Sequence, residues 1–261
     1  MSKINNTMRH LTYAIFLAFL IGCSGDTPDD SPKTPEPSWD KTRTAKVSVL
    51  SDLTGNNPFT ISGYSTVAEW AKKEGSHLLI LDKANVRYAP PRLHPGAKLA
   101  VMAERFPIFV PTSITTDSYV GSTLLFRKPV PQMELIRVTD ECRLMQTPAE
   151  IRPGLNVNIL VASFNHSSQI TGALPHLKKA VEQSVLVIGT MRREDFSMFR
   201  SALSETIPDN NFELTLAENN QVTSSYCLYI LGSKKWKFRN LTETGIQNAL
   251  KSFLLEVEYL Q

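Results

Sequence analysis

The chain has little cysteine and few metal-binding patterns, and each shortage excludes a class of protein. Its 261 residues contain three cysteines, Cys23, Cys142 and Cys227, which are too few for the disulfide framework of a small secreted domain. Neither Cys-x-x-Cys nor His-x-x-x-His occurs, so the usual spacings of a zinc site are missing. Cys142 and Cys227 could pair in an oxidising compartment. Cys227 lies in an apolar run, however, and is better interpreted as a small buried side chain.

The chain also lacks a large excess of charge of either sign. The net charge is only +3 and the basic residues are scattered, so we expect no nucleic-acid partner. The one local concentration, residues 234–239, alternates basic and aromatic side chains. We interpret it as a basic edge strand that discourages aggregation rather than as a stacking platform for single strands. With 42% hydrophobic and 20% charged residues, the composition is that of a globular protein.

The first 23 residues have the parts of a secretory signal. Lys3 and Arg9 precede an apolar run at residues 11–21, which is too short to cross about 30 Å of hydrocarbon as a mature helix. The run ends in Leu20-Ile21-Gly22-Cys23, which resembles the lipobox of bacterial lipoproteins. The resemblance implies removal of residues 1–22 and attachment of lipid to the Cys23 thiol. An ordinary signal peptide or an N-terminal anchor that happens to contain a cysteine is the alternative.

Residues 23–45 are predicted to be a tether between that anchor and a domain. Proline, aspartate, serine and threonine dominate the segment, which therefore has too little apolar surface to fold by itself. Two or three acyl chains would hold the protein firmly on a membrane. We expect a cell-envelope protein whose partner is the membrane, together with an envelope protein or an anionic ligand. Ser24, rather than Asp, after the cysteine favours the outer membrane by resemblance to lipoproteins of the enteric type.

The order of patterns along residues 46–261 predicts one α/β domain. Strand, helix, strand, helix and further strands follow one another from residue 46 to residue 138, and again from residue 156 to residue 239. Two such halves predict a four-layer α/β/β/α sandwich, with two sheets face to face and the helices outside. The same patterns predict a loop around Cys142 and Pro148, a helix beginning at Pro175, and a final helix from Thr244 to about Glu258.

Five segments resemble the endonuclease/exonuclease/phosphatase family of metal-dependent phosphoesterases. Residues 47–52 look like its opening strand, and residues 79–83 stand where the family has a Gln-Glu metal ligand. Residues 119–130 look like its Gly-to-Pro strand, residues 161–166 like the strand that carries a catalytic His, and residues 185–192 like its Gly-Asp-Phe-Asn strand. The resemblance covers most of residues 46–240. It implies the same sandwich fold and, for an active member, Mg²⁺ or Mn²⁺.

The catalytic residues of that family are mostly replaced here. Lys83 stands at the position of the metal-binding Glu and would repel a divalent ion, and Asp82 is predicted to point to the other side of the strand. Thr190 and Arg192 replace the Asp and Asn of Gly-Asp-Phe-Asn, and Ser225 stands where an Asp is expected. No Ser-Asp-His closes the chain. Only Asp52, Asn165 and His166 remain as weak catalytic candidates.

Two hypotheses follow. The first is a lipid-anchored module without catalysis and without a metal, which binds an anion in the cleft between the sheets. The residues predicted to line that cleft are Asp52, Lys83, His166, Thr190 and Arg192. For Arg192, a solvated helix start is the simpler interpretation. The second is a divergent Mg²⁺- or Mn²⁺-dependent phosphodiesterase or nuclease whose carboxylates have been rearranged near His166.

Overall fold

The computed structural model describes residues 44–51, 63–87, 94–114, 116, 118–217, 225–247 and 250–260, and within them the chain forms twelve strands and four α-helices. The strands are β1 (Thr44–Ser51), β2 (Leu78–Arg87), β3 (Phe106–Ile114), β4 (Ser118–Phe126), β5 (Glu134–Arg137), β6 (Arg143–Arg152), β7 (Leu155–Val161), β8 (Leu186–Arg192), β9 (Phe212–Ala217), β10 (Tyr226–Ser233), β11 (Trp236–Gln247) and β12 (Leu250–Tyr259). The helices are α1 (Tyr64–Lys73), α2 (Pro95–Ala103), α3 (Ser167–Glu182) and α4 (Phe196–Thr206). None of these helices in the described part of the chain is long and apolar enough to cross a membrane.

The strands form two six-stranded sheets with the same internal pairing. Sheet one has the order β11-β12-β1-β2-β4-β3 and sheet two the order β5-β6-β7-β8-β10-β9. In each sheet the two central strands, β1 with β2 and β7 with β8, are parallel, and the other neighbours are antiparallel. The two sheets are therefore repeats of one plan. The repeats do not coincide with the predicted halves of the chain, because β5 belongs to sheet two and the C-terminal hairpin β11–β12 completes sheet one.

Three apolar clusters hold four layers together, which confirms the predicted α/β/β/α sandwich. The first lies between the sheets and includes Val49, Ile80 and Ile188. The second packs sheet two against α3 and α4, and the third packs sheet one against α1 and α2. Each central strand is buried on both faces, since alternate side chains enter different clusters.

The predicted final helix is wrong, because residues 250–259 form strand β12. This strand lies between β11 and β1 and pairs with both, for example Val47 with Leu255 and Phe238 with Val257. Its apolar residues have a spacing that fits a helix as well as a strand. Pairing with the edge of β1, which is distant in sequence, is what selects the strand.

The prediction that a helix begins at Pro175 is also wrong, since α3 runs from Ser167 to Glu182 with Pro175 inside it. Proline removes the N–H that would bond the carbonyl of Thr171. Both residues lie on the exposed side of the helix, where water can take that bond, while Ile170 and Leu177 pack inward.

The predicted loop around Cys142 and Pro148 is mostly strand β6. Because β5 pairs only with residues 143–146 of β6, Pro148 lies beyond the end of that pairing and its missing N–H breaks no bond to β5. Cys142 and Cys227 are both buried and form no disulfide within the described part of the chain, which agrees with the interpretation of Cys227 as a small apolar side chain. Burial raises the pKa of the Cys142 thiol to about 11.

The parallel pairs give the sandwich two distinct ends. We call the end at which β1, β7 and β8 finish the site end, and the end at which they begin the tether end. A hydrogen bond between Asp82 and Ser163 joins the two sheets at the site end, and one from Arg152 to the carbonyl of Thr44 joins them at the tether end. Both sheets therefore have their parallel strands running in the same direction.

Candidate functional site

Four polar side chains face the space between the sheets at the site end. Asp82, on β2, and Ser122, on β4, come from sheet one, while Ser163, two residues after β7, and Thr190, near the end of β8, come from sheet two. Each continues the inward alternation of its strand, as Thr190 does after Leu186 and Ile188. All four are buried, and Asp82 is only 3% exposed. We call these four side chains the polar cluster.

The Asp82 carboxylate is the centre of the polar cluster. Its Oδ1 accepts hydrogen bonds from the Ser122 hydroxyl at 2.7 Å and from the Ser163 hydroxyl at 3.2 Å. Ser163 Oγ in turn accepts the backbone N–H of Thr190 at 3.2 Å. A buried carboxylate is tolerated only when hydrogen bonds replace its hydration, and here side chains from both sheets supply them. The cluster therefore joins the sheets and uses the serine hydroxyls for that purpose.

A cavity of about 10 Å³ lies beside the cluster. Its lining includes Asp82 and Ser122 together with apolar side chains such as Val49 and Leu228. The Thr190 hydroxyl, which is fully buried, has no hydrogen-bond partner within the described part of the chain. A space of this size accommodates about one water molecule, but no organic ligand.

The polar cluster does not fit a divalent metal ion. Mg²⁺ requires about six oxygen ligands in an octahedron and usually retains several waters, for which this cavity is too small. The cluster offers one carboxylate, and two serine hydroxyls already donate to it. Among the described residues, no group of three or more His, Cys, Asp or Glu side chains is placed to hold a metal.

Glycine at position 189 lets β7, β8 and β10 approach closely behind the cluster. A Cβ at that position would lie 1.8 Å from the carbonyl oxygen of Ala162. The Tyr229 side chain, from β10, crosses over Gly189 and donates its hydroxyl to the same carbonyl. Burial is the main reason that the pKa of Tyr229 is raised well above 10. Gly189 is the glycine of the segment that resembles Gly-Asp-Phe-Asn, and its role here is packing.

The weak catalytic candidates are not part of the polar cluster. His166 is exposed at the residue before α3, and Asn165 donates its backbone N–H to Gln169 Oε1 at 2.7 Å. Asp52 lies outside the described residues. Instead, Ser163, three residues before His166, is the side chain that meets Asp82.

The predicted anion-binding residues are not brought together by the described part of the structure. Thr190 lies deep between the sheets, whereas Arg192, two residues further along β8, reaches the surface and contacts Glu194 at 3.3 Å. Hydrogen bonds to Glu194 and Tyr226 raise the pKa of Arg192. The side chain of Lys83 lies outside the described residues.

The prediction that Asp82 points away from the site is wrong. It followed from the family motif, in which position 83 is the residue that faces the site. The structure places Asp82 inward, in alternation with Leu78 and Ile80. Residues 78–81 are all apolar, as in a strand covered on both faces, so their alternation did not reveal the inward side. The motif therefore assigned the inward position to Lys83, although Asp82 is the only acidic residue in β2.

Comparisons with known proteins identify the fold. No protein-family model matches the chain, and no curated protein is similar to it in sequence. Solved structures do match. An endonuclease/exonuclease/phosphatase from Beutenbergia cavernae has a TM-score of 0.58 at 9% identity, over 84% of this chain and 72% of the other. A family protein from Leptotrichia buccalis gives 0.57 at 10%, over 83% of this chain and 100% of the other.

A mannosyl-6-phosphatase from Bacteroides thetaiotaomicron gives a TM-score of 0.54 at 8% identity, over 83% of this chain and 100% of that protein. Identities this low show a shared fold and leave the chemistry to be argued from the residues. The chain has an endonuclease/exonuclease/phosphatase-like sandwich, as the sequence resemblance predicted.

Proposed function

We propose that this protein is a lipid-anchored envelope protein whose phosphoesterase-like domain binds a partner or ligand without catalysis. The observation that carries the proposal is the polar cluster. At the site end, the side chains of Asp82, Ser122 and Ser163 bond one another across the two sheets, and Ser163 also accepts the backbone N–H of Thr190. They thereby stabilise the sandwich and are not free to bind a substrate.

The chemistry of phosphodiester hydrolysis supports the same conclusion. That reaction needs carboxylates to hold a divalent ion and a base to activate water. Thr190, in place of the water-activating Asp, is buried and carries no charge. Asp82 is a single carboxylate with two hydroxyl donors on one oxygen, a set that favours a structural role.

The anchor is the second part of the proposal and depends on the sequence alone. Leu20-Ile21-Gly22-Cys23 is positioned to be cut before Cys23, with a Pro- and Asp-rich stretch between the cysteine and β1. The outer membrane is the proposed location, because Ser24 follows the cysteine. An anionic ligand, if bound, would contact Arg192 at the surface, because the Asp82 carboxylate repels an anion from the space between the sheets.

The test is a calorimetric titration of the mature chain with Mg²⁺ and Mn²⁺, together with hydrolysis of a generic phosphodiester. We expect neither binding in the micromolar range nor turnover. His166→Ala and Asp82→Asn serve as matched variants. Micromolar metal binding together with turnover that His166→Ala abolishes would overturn the proposal and establish the divergent phosphodiesterase. Mass analysis of the N-terminal peptide, with Cys23→Ser as its control, tests the anchor separately.

A further inference from the structure

The tether end of the sandwich carries a group of basic side chains around the first residue of β1. Arg152 Nη1 donates to the carbonyl of Thr44 at 2.6 Å, and the backbone N–H of Lys46 donates to His77 Nδ1 at 3.0 Å. The chain that links Cys23 to the domain therefore enters at this end. We call the basic side chains here the basic rim: Lys46, Lys72, Lys73, Arg105, Arg127 and Arg152.

Two arginines of the basic rim are held in place by backbone carbonyls. Arg105 Nη2 and Arg127 Nη2 both donate to the carbonyl of Ser76, at 2.5 and 2.8 Å, and Arg105 Nη1 donates to the carbonyl of His77 at 2.9 Å. These carbonyls follow the C-terminal end of α1, where the helix dipole favours cations. Because their partners are neutral groups, both guanidinium charges remain uncompensated by acids in these bonds.

The acids at this end offset the basic rim only in part. Glu104 bonds Lys72 at 2.9 Å, and Glu150 bonds Lys128 at 2.5 Å, so each neutralises one lysine. Glu74 follows the last turn of α1, and on β12 Glu256 lies opposite Lys46 while Glu258 bonds Arg239 at 2.7 Å. The pKa of His77 is lowered to about 4, by burial first and then by Arg127, Arg152, Arg105 and Lys46, as expected where the surrounding charge is positive.

Exposed apolar side chains lie beside the basic rim. Val101 is 80% exposed, Met102 42% and Phe106 48%, and they flank Arg105 in sequence. They are half of the large apolar side chains that the described residues expose; the others are Met133, Leu135 and Met198. α2 ends at Ala103, Glu104 takes a left-handed conformation with φ of 55°, and the chain turns so that Phe106 begins β3 at this end. Apolar side chains bordered by basic ones are typical of surfaces that lie in a membrane interface.

The reach of the tether suggests what covers this surface. The twenty residues between Cys23 and Thr44 span about 25 Å if they are flexible and about 60 Å if they form an extended polyproline II helix. An anchor on Cys23 would thus keep the tether end close to its own membrane. At the resulting effective concentration, in the millimolar range for a short tether, a weak attraction to lipid is enough for docking.

We propose that the tether end docks on the anionic lipid surface of the membrane that holds the anchor. Val101, Met102 and Phe106 enter the headgroup region, the basic rim lies over lipid phosphates, and the site end faces away from the membrane. The inference rests on the proposed anchor at Cys23 and adds an orientation to it.

The test uses the mature chain with Cys23→Ser, so that no acyl chain contributes to binding. Its sedimentation with vesicles of phosphatidylcholine is compared with its sedimentation with vesicles of equal parts phosphatidylcholine and phosphatidylglycerol. We expect binding to the anionic vesicles at least tenfold tighter, and weaker binding as salt is raised. Equal partition into the two vesicle types, or no binding to either, would overturn the proposal.

Matched variants locate the surface. The pair Val101→Ser and Phe106→Ser should lower the partition coefficient about tenfold, because two apolar side chains no longer leave water. The pair Met133→Ser and Leu135→Ser, similarly exposed at and beside edge strand β5, should leave it unchanged. Lys73→Glu should lower it about tenfold and Arg200→Glu, exposed on α4, much less. A control pair as harmful as Val101→Ser and Phe106→Ser would refute the assignment of this surface.

One further outcome would also contradict the proposal. If Val101→Ser and Phe106→Ser abolish self-association in sedimentation and leave vesicle binding unchanged, the surface covers a second copy of the chain instead. Failure here is distinguishable from failure of the proposed function, because metal binding, turnover and lipidation of Cys23 are measured without vesicles.

Discussion

The two ends of the sandwich hold charge in opposite ways. At the site end, the Asp82 carboxylate lies between the sheets and accepts hydrogen bonds from the hydroxyls of Ser122 on β4 and Ser163 just after β7. At the tether end, Arg105 and Arg127 stand at the edge of the sheets and bond backbone carbonyls. The hydrogen bonds of the Asp82 carboxylate lie inside the protein. Arginines that bond neutral carbonyls, by contrast, keep their positive charge, and their field extends into solvent.

The difference teaches which end of this fold is available for interaction. At the site end, the side chains of Asp82, Ser122 and Ser163 bond one another and join the sheets. The tether end presents the basic rim and three exposed apolar side chains, Val101, Met102 and Phe106. Four predictions test this contrast, and they follow in order of decreasing effect.

Gly189→Ala should have the largest effect, a loss of about 3 kcal/mol of unfolding free energy. The new Cβ would lie 1.8 Å from the Ala162 carbonyl and would push β7 away from β8 behind the polar cluster. Gly154→Ala, near the tether end, is the control. A Cβ there would have no heavy atom within 4 Å, so only the φ of +78° opposes the change, at about 1 kcal/mol. Denaturant unfolding of both variants measures the difference.

Asp82→Ala should destabilise the protein by about 1–3 kcal/mol, because the Ser122 and Ser163 hydroxyls lose their buried acceptor. Asp82→Asn retains an acceptor oxygen and should cost clearly less. Urea midpoints of the two variants provide the measurement. If neither variant changes stability, Asp82 does not join the sheets, and a binding role for its carboxylate would have to be reconsidered.

Lowering the pH should weaken the tether end through His77. Its pKa is about 4 in the folded protein, against an ordinary value of 6.5. Between those values the unfolded chain binds a proton that the folded protein does not, so stability falls as the pH drops from about 6.5 to about 4. Allowing for solvent screening, we expect a loss of about 1–2 kcal/mol.

His77→Asn, which can still accept the N–H of Lys46, is the matched variant for this pH dependence. Its unfolding midpoint should change less between pH 7 and pH 4.5 than that of the natural protein. An identical pH profile for the two would show that His77 is not the titrating group, and that the positive charge at this end is weaker than the contacts indicate.

Lys72→Ala should have the smallest effect. Its bond to Glu104 joins two exposed side chains, and such pairs contribute little to stability because water screens them. The unfolding midpoint should not change beyond measurement error. A clear decrease would mean that surface pairs at this end, and not only arginines on carbonyls, hold the turn after α1 in place.

Much of the fold could be predicted from local pattern. The alternation and apolar runs of residues 46–50, 78–81 and 185–189 correspond to β1, β2 and β8, and their order predicted the layered sandwich that the structure confirms. The failures were long-range. Whether residues 250–259 form a helix or a strand depends on β1 and β11, and the pairing with β1 joins opposite ends of the chain, so pattern alone fits both.

The candidate site was less predictable than the fold for a related reason. A strand buried on both faces has no polar alternation, so the inward position of Asp82 could not be read from its neighbours. In addition, the pairing of β2 with β4 shifts register between Leu81 and Ala84, so the residues after Asp82 do not follow a simple in-and-out alternation. Ser122 and Ser163 meet Asp82 only because three strands from two sheets come together at the same place.

The sequence by itself determined the periodicity of the strands and helices, and hence the four layers. The spacing of apolar residues in each segment shows whether one face or both faces of it are buried. It also carries the lipobox-like motif, from which the anchor remains a prediction. Only the tertiary structure decided which polar groups meet. Asp82 with two serines at one end and the arginines with carbonyls at the other arise from strand pairing between distant segments, which no local pattern encodes.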